Sequence, residues 1–162
     1  MRYVRRPVHI EGMEHGLKSS SERAEYTWAS GMCAVAHCSD HLLDENAAIR
    51  IEEERRSLCP EHAGTVLHLI PSDIEVFDQE VLSFWMTQEA ANGIVARAAV
   101  VPSGITALRH KIRWMFFSSE VPFRVFRNPQ VAKGWLIDCW LQHQEVQMGH
   151  SDSLLSREVV LD

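Results

Sequence analysis

The run IVARAAVV, at residues 94–101, is the feature that most constrains the fold of this chain. A strand with one solvent-exposed face alternates apolar and polar residues, whereas a strand buried on both faces is an almost unbroken apolar run. Pro102, Ser103 and Gly104 follow the run and end it. The run therefore predicts a central parallel strand, in a sheet that helices cover.

Other strand and helix patterns alternate around this central run. The segments EYTW and MCAVAHC surround Ala29-Ser30-Gly31 and predict a hairpin, and TVLHLI and FRVF predict two further strands. Segments with helical spacing of apolar residues lie between these strands and after the last one. The order predicts a single α/β domain: a mixed, mostly parallel sheet of about five strands with about four helices.

The segment SDHLLDENAAIRIEEERRSL, which contains neither Gly nor Pro, predicts a helix over about 40–58. Ser39 or Asp40 is a suitable N-cap, because its side-chain oxygen can accept from the first free backbone amides. Glu52 and Arg56 are spaced as an i, i+4 ion pair. The charge run EEERR is interpreted as the solvated face of this helix.

The last predicted helix, NPQVAKGWLIDCWLQH, has the clearest boundary signal: Asn128 as the cap and Pro129 at the first helical position. The sequence after it is polar and no longer places apolar residues at helical spacing. We therefore expect a flexible N-terminal extension at 1–22, one domain at 23–143, and a polar C-terminal tail at 144–162.

Composition and charge exclude several classes of protein. The net charge of −6 argues against a nucleic-acid binder, which needs a basic surface. A run of about eighteen apolar residues, as a membrane span requires, does not occur, and no apolar stretch of a secretory signal follows the basic N-terminus. Four cysteines in 162 residues do not form the pattern of a disulfide scaffold, so we expect a cytoplasmic protein.

The cysteines leave one alternative interpretation open. Cys33, Cys38, Cys59 and His62 are residue types that bind zinc, and together they would form a Cys3His site. The helix predicted over 40–58 would place the two pairs about 28 Å apart, at about 1.5 Å per residue. Because a zinc site and this helix exclude each other, we expect no cofactor, with structural zinc as the alternative.

The segment RAAVVPSGITALRHKIRWMFFSSEVPFRVFRNPQVAKGWL resembles the C-terminal half of STAS-like domains, and the likeness extends over roughly 24–143. This family includes bacterial anti-sigma-factor antagonists and lipid carriers. The resemblance implies a non-enzymatic, regulatory domain that binds a protein partner or a small apolar ligand, and it is compatible with a homodimer. Asp78 matches the antagonist pattern, but Gln79 stands where those proteins carry a phosphorylated serine.

Ligands of open parallel sheets bind beyond the carboxyl ends of the strands. Small hydroxyl and carboxyl groups follow three of the predicted strands, and with the residue that matches the antagonist pattern they form the candidate site. These residues are Ser39, Asp40, Ser72, Asp73, Asp78, Ser103 and Gly104. Helix caps and turns are the alternative explanation for them. Nucleotide-binding and hydrolase signatures do not occur, so a hydrolase-like enzyme is only a third hypothesis.

Overall fold

The computed structural model describes residues 17–38, 42–58, 64–72, 79–101 and 121–155. These residues form one six-stranded sheet in which the strands lie side by side in chain order. The strands are β1 (Leu17–Ser20), β2 (Ala24–Ala29), β3 (Met32–His37), β4 (Gly64–Leu69), β5 (Ile94–Val100) and β6 (Phe123–Phe126). The helices are α1 (Glu45–Leu58), α2 (Gln79–Trp85), α3 (Gln88–Ala91) and α4 (Pro129–Leu155).

The sheet is mixed and mostly parallel, as the sequence predicts. Strands β1, β2 and β3 pair antiparallel, and β3, β4, β5 and β6 pair parallel. The sixth strand is β1, which lies where the sequence predicts a flexible extension. Its sequence, LKSS, has no apolar period, and backbone pairing to the edge of β2 is what holds it in the sheet.

The hairpin between β2 and β3 turns at Ser30 and Gly31, whose φ angles are 50° and 76°. Two consecutive positive φ angles are the geometry of a type I′ turn, which matches the twist of the strands on either side. The start of β4 lies directly against this turn. A Cβ atom added to Gly64 would be 2.7 Å from the carbonyl oxygen of Gly31. This close approach requires glycine at position 64.

Helix α1 begins later than the sequence predicts. Its first residue is Glu45, and the N-cap is Asp44, whose Oδ1 accepts a hydrogen bond from the backbone amide of Ala47 at 2.8 Å. The prediction of a cap at residue 39 or 40 is therefore wrong. Ser39, Asp40 and Asp44 all suit an N-cap by residue type. Leu43 is buried in the core just before Asp44, which favours a helix that begins after Asp44.

The helices cover the two faces of the sheet separately. Helices α1, α2 and α3 enclose one core with the side chains that β2 to β6 present on that face. Helix α4 packs across β4, β5 and β6 on the other face, where Ala132 and Leu136 are fully buried. The run IVARAAVV is thus covered on both sides, as its composition predicts.

Helix α4 begins as predicted. The side chain of Asn128 accepts hydrogen bonds from the backbone amides of Gln130 and Val131, and Pro129 is the first helical residue. The helix then continues to Leu155, through much of the segment in which the sequence predicts a polar tail. Neither α4 nor any other helix in the described ranges is long and apolar enough to cross a membrane.

Candidate functional site

A row of polar side chains crosses the core beneath α1 and α2. His37, His68 and Arg97 lie on the neighbouring strands β3, β4 and β5, and all three face the same side of the sheet. The register places each of them diagonally from the next, so that long side chains can meet. His37 Nε2 lies 3.0 Å from His68 Nδ1, and His68 Nε2 lies 3.0 Å from Nη1 of Arg97.

Arg97 connects this row to α1 and α3. Its Nη2 donates to Oε2 of Glu52 at 3.2 Å and to the backbone carbonyl of Ala90 at 2.6 Å. The other carboxylate oxygen of Glu52 accepts from Nε and Nη2 of Arg55, at 3.0 and 2.5 Å. Arg56 approaches the same oxygen at 3.6 Å, which confirms the predicted i, i+4 pair. These contacts join two helices and three strands through hydrogen bonds and charge.

The indole of Trp85 covers the row. Its ring is stacked on His68 with the centroids 3.9 Å apart, and it lies 5.7 Å from the ring of His37. The guanidinium carbon of Arg97 is 6.0 Å from the centroid of the same indole. Trp85 is completely buried, so this side chain separates the polar row from solvent on the α2 side.

The hydrogen bonds determine the tautomers of both histidines. A guanidinium group only donates, so Nε2 of His68 accepts from Arg97 and carries no proton. Neutral His68 then carries its proton on Nδ1 and donates it to Nε2 of His37. Neutral His37 must in turn carry its own proton on Nδ1. The row is therefore a directed chain of hydrogen bonds, in which Arg97 donates to His68 and His68 donates to His37. We call this hydrogen-bond chain the relay.

Burial and charge keep these groups in single protonation states. Burial, and then the charge of Arg97, lowers the pKa of His37 to about 3 and the pKa of His68 well below its ordinary value. Burial raises the pKa of Glu52, but the charges of Arg97 and Arg55 outweigh it and hold that pKa below its usual range. Near neutral pH, both histidines are neutral and Glu52 is ionised.

The charge run EEERR is only partly a solvated face. Glu53 is exposed, as predicted, but Glu52 and Arg55 are buried, with 1% and 3% of their surface exposed. The prediction was wrong for these two residues because it ignored Arg97. Only the fold places a second buried guanidinium group beside α1, where it stabilises a carboxylate that would otherwise require water.

Of the predicted strand-edge site, the described ranges contain Ser72 alone. Ser72 lies in an exposed turn after β4. The other predicted residues lie outside the described ranges, and their role at the strand edge stays a prediction. They are Ser39, Asp40, Asp73, Asp78, Ser103 and Gly104.

The alternative zinc site is likewise visible only in part. Cys33 is buried among the apolar side chains beneath α1, whereas Cys38 follows β3 and is partly exposed. Cys38 lies five positions after Cys33, so strand alternation continued one residue past β3 would direct the two side chains to opposite faces. Cys59 and His62 lie outside the described ranges. Within those ranges, no group of three or more His, Cys, Asp or Glu side chains is arranged to hold a metal ion.

Sequence reasoning missed the buried relay, although the strands carry a signal for it. His68 interrupts TVLHLI and Arg97 interrupts IVARAAVV, and His37 is the last residue of the apolar strand β3. A polar residue in a buried strand needs a partner. Three such residues on adjacent strands suggest that they are partners of one another. Whether the three side chains are in contact depends on the strand register, which the apolar pattern of the sequence does not reveal.

Comparison of the chain with protein families, curated proteins and solved structures finds no match. The α/β fold is shared by many unrelated activities.

Proposed function

We propose that this chain is a non-enzymatic STAS-like domain whose role is to bind a protein partner, in preference to a small apolar ligand. The observation that carries the proposal is an apolar stripe on the face of α4 turned away from the sheet. Ile137, Leu141 and Met148 follow one another after four and seven residues, the spacing of a helix–helix seam. They are 41%, 50% and 63% exposed.

Exposed apolar surface is concentrated on this helix. Of the seven large apolar side chains that are exposed in the described residues, five belong to α4. The helix has 27 residues and is therefore about 40 Å long, at about 1.5 Å per residue. All side chains from 144 to 148 are exposed, so this part of the helix extends beyond its contact with the sheet. Exposed apolar side chains concentrated on one helix are typical of a protein interaction site.

The charges beside the stripe favour a basic partner. Asp138 and Glu145 are seven residues apart, are both exposed, and border the stripe on one side. The whole chain carries a net charge of −6, which attracts a basic partner at long range. The partner that fits is an amphipathic helix whose apolar face meets Leu141 and whose flanks carry Lys or Arg.

A small apolar ligand is the weaker version of the proposal, because the side of the core beneath α2 is filled. Trp85, His68 and Arg97 occupy this region in mutual contact, and none of them has exposed surface. An apolar ligand would have to displace the indole and then lie against the imidazole of His68 and the charged guanidinium group of Arg97. Apolar contact offers these polar groups no favourable interaction in place of the aromatic ring.

A non-enzymatic role is supported by the state of the relay histidines. A general acid or base works best with a pKa near the operating pH. His37 and His68 are buried, their pKa values lie far below neutrality, and each ring is held in one tautomer. These two imidazoles therefore stabilise the core and do not exchange protons near pH 7.

Fluorescence anisotropy with a synthetic peptide tests the proposal. The probe is a labelled amphipathic helix with Leu on one face and Lys on its flanks, added to the full chain. Leu141→Asp should weaken its binding about tenfold or more, since burying a leucine contributes roughly 1.5–3 kcal/mol.

The control variant is Gln142→Asp, which adds the same charge one residue away, to one side of the stripe. It should bind the probe at least as tightly as the wild type does, because position 142 lies on the same helix face as Asp138 and Glu145. A second probe, with Glu in place of every Lys, should bind at least tenfold more weakly if the acidic flank contributes. Equal binding by the Leu141→Asp and Gln142→Asp variants would contradict the proposed surface.

A further inference from the structure

The relay ends on a hydrogen-bond donor that has no acceptor in the described part of the chain. Arg97 determines the tautomer of His68, and His68 determines that of His37, so the last proton of the relay lies on Nδ1 of His37. This nitrogen is buried and makes no hydrogen bond there. Leaving a buried donor unpaired costs about 1–3 kcal/mol. Among the described residues, this donor is therefore held in place without an acceptor.

The position of His37 suggests where an acceptor comes from. His37 is the last residue of β3, at the carboxyl end of the four parallel strands, where ligands of open α/β sheets bind. It is also the part of the relay nearest to solvent. His37 is 6% exposed, whereas His68 and Arg97 are 0% exposed. A ligand at this edge would meet His37 first.

The charge of the cluster determines which acceptor fits. Arg55 and Arg97 are both buried, and Glu52 is the one buried carboxylate that pairs with them among the described residues. Arg56 adds a third, partly exposed guanidinium group at 3.6 Å. The cluster therefore holds more positive than negative charge in a low-dielectric core. An anion at the end of the relay would reduce this imbalance.

We propose that Nδ1–H of His37 is the binding point for a carboxylate at the carboxyl edge of the sheet. The charge of Arg97 polarises His68, and His68 in turn polarises His37, so the final N–H is a stronger donor than that of an isolated neutral imidazole. A carboxylate oxygen accepts this hydrogen bond, and its negative charge is attracted by the excess guanidinium charge at the other end of the relay. This site is separate from the stripe on α4 and does not depend on it.

Nitrogen NMR of the full chain, labelled with ¹⁵N-histidine, tests the first half of the proposal. Both His37 and His68 should give the pattern of a neutral ring protonated on Nδ1. Sodium acetate, compared with sodium chloride at equal ionic strength, should shift the Nδ1 signal of His37 in a saturable manner. Finding His37 charged, or protonated on Nε2, would overturn the relay and with it the proposal.

Two substitutions at position 37 test the second half. His37→Gln places an amide oxygen where Nε2 lies and so can still accept from His68, but it removes the donor at Nδ1. His37→Asn instead places an amide N–H near the position of Nδ1. Acetate should raise the Tm of the wild type and of His37→Asn above the value in chloride, and it should not do so for His37→Gln.

A second ligand identifies the source of the carboxylate. N-acetylglycylglycine carries the same group at the end of a peptide. A rise in Tm with acetate alone assigns the site to a small acid. A rise in Tm with both ligands shows that the carboxyl terminus of a peptide also fits. An equal rise in Tm for the wild type and His37→Gln with acetate would overturn the proposal. Loss of acetate binding in Leu141→Asp would likewise contradict the independence of this site from α4.

Discussion

Arg97 donates a hydrogen bond to Nε2 of His68 at 3.0 Å, and neither side chain has any exposed surface. This contact determines the protonation pattern of the whole polar row, because a guanidinium group cannot accept a hydrogen bond. It also explains how a strand as apolar as IVARAAVV contains an arginine. The charge is paired with Glu52, and one remaining donor goes to a backbone carbonyl.

Removing the charge of Glu52 should strongly destabilise the fold. Glu52→Gln leaves the guanidinium groups of Arg55 and Arg97 buried without their carboxylate, which typically costs about 3–5 kcal/mol. Urea titration of both proteins measures the change in the free energy of unfolding. The control is Glu53→Gln on the exposed face of the same helix, where we expect a change within about 0.5 kcal/mol. A similar loss in the free energy of unfolding for both variants would show that the buried ion pairs of Glu52 do not account for it.

Stability should fall as the pH falls below the ordinary pKa of histidine. His37 has a pKa of about 3 in the fold, against 6.5 for an ordinary histidine. Between these values the unfolded chain binds the additional proton. The contribution of His37 to the free energy of unfolding is therefore complete above pH 6.5. It is lost on acidification, by about 1.4 kcal/mol per pH unit. His68, whose pKa is also lowered, acts in the same direction.

Urea titrations between pH 7 and pH 5 measure this slope. The lowered pKa of Glu52 affects stability only below its ordinary value of 4.5, so it does not contribute in this range. His37→Gln should lose about half of the slope that the two histidines produce together. An unchanged slope in this variant would mean that His37 does not remain neutral in the folded protein.

Two glycines should respond oppositely to the same substitution. A Cβ at Gly64 would lie 2.7 Å from the carbonyl oxygen of Gly31 and 2.9 Å from the indole of Trp28. Because one of these atoms belongs to the backbone, Gly64→Ala should destabilise by about 1–3 kcal/mol. Gly134 is helical and its Cβ would meet nothing within 4 Å, so Gly134→Ala should stabilise by up to about 1 kcal/mol. Thermal unfolding of both variants measures the difference.

The end of α4 should be dispensable for the stability of the domain. The side chains of residues 144–148 are all exposed, whereas the buried anchors Ala132 and Leu136 lie near the start of the helix. A chain that ends at residue 143 should keep its free energy of unfolding within about 1 kcal/mol, since exposed positions contribute little. The test is a urea titration against the full chain. A much larger loss would show that the expected domain boundary at 143 is placed too early.

Much of the fold could be predicted from the pattern of apolar residues alone. Strand β6 has the bounds of FRVF, whereas β3, β4 and β5 differ from MCAVAHC, TVLHLI and IVARAAVV by one residue at one or both ends. Asn128 and Pro129 begin α4 as predicted. Each of these elements carries its signal locally, in period, cap or turn. Strand β1 and the second half of α4 were not predicted, because the first is held by backbone pairing and the side chains of residues 144–148 in the second are all exposed.

The sequence by itself determined the class of this protein, because the period of apolar residues shows which segments are strands and which are helices. It also placed His37, His68 and Arg97 in buried strands. Only the tertiary structure decided that they meet, since strand order and register determine which side chains lie diagonally opposite. Glu52 illustrates the same limit. Its charged neighbours in the sequence predict that Glu52 is exposed to solvent. In the fold, the guanidinium group of Arg97, 45 residues away, is its buried partner.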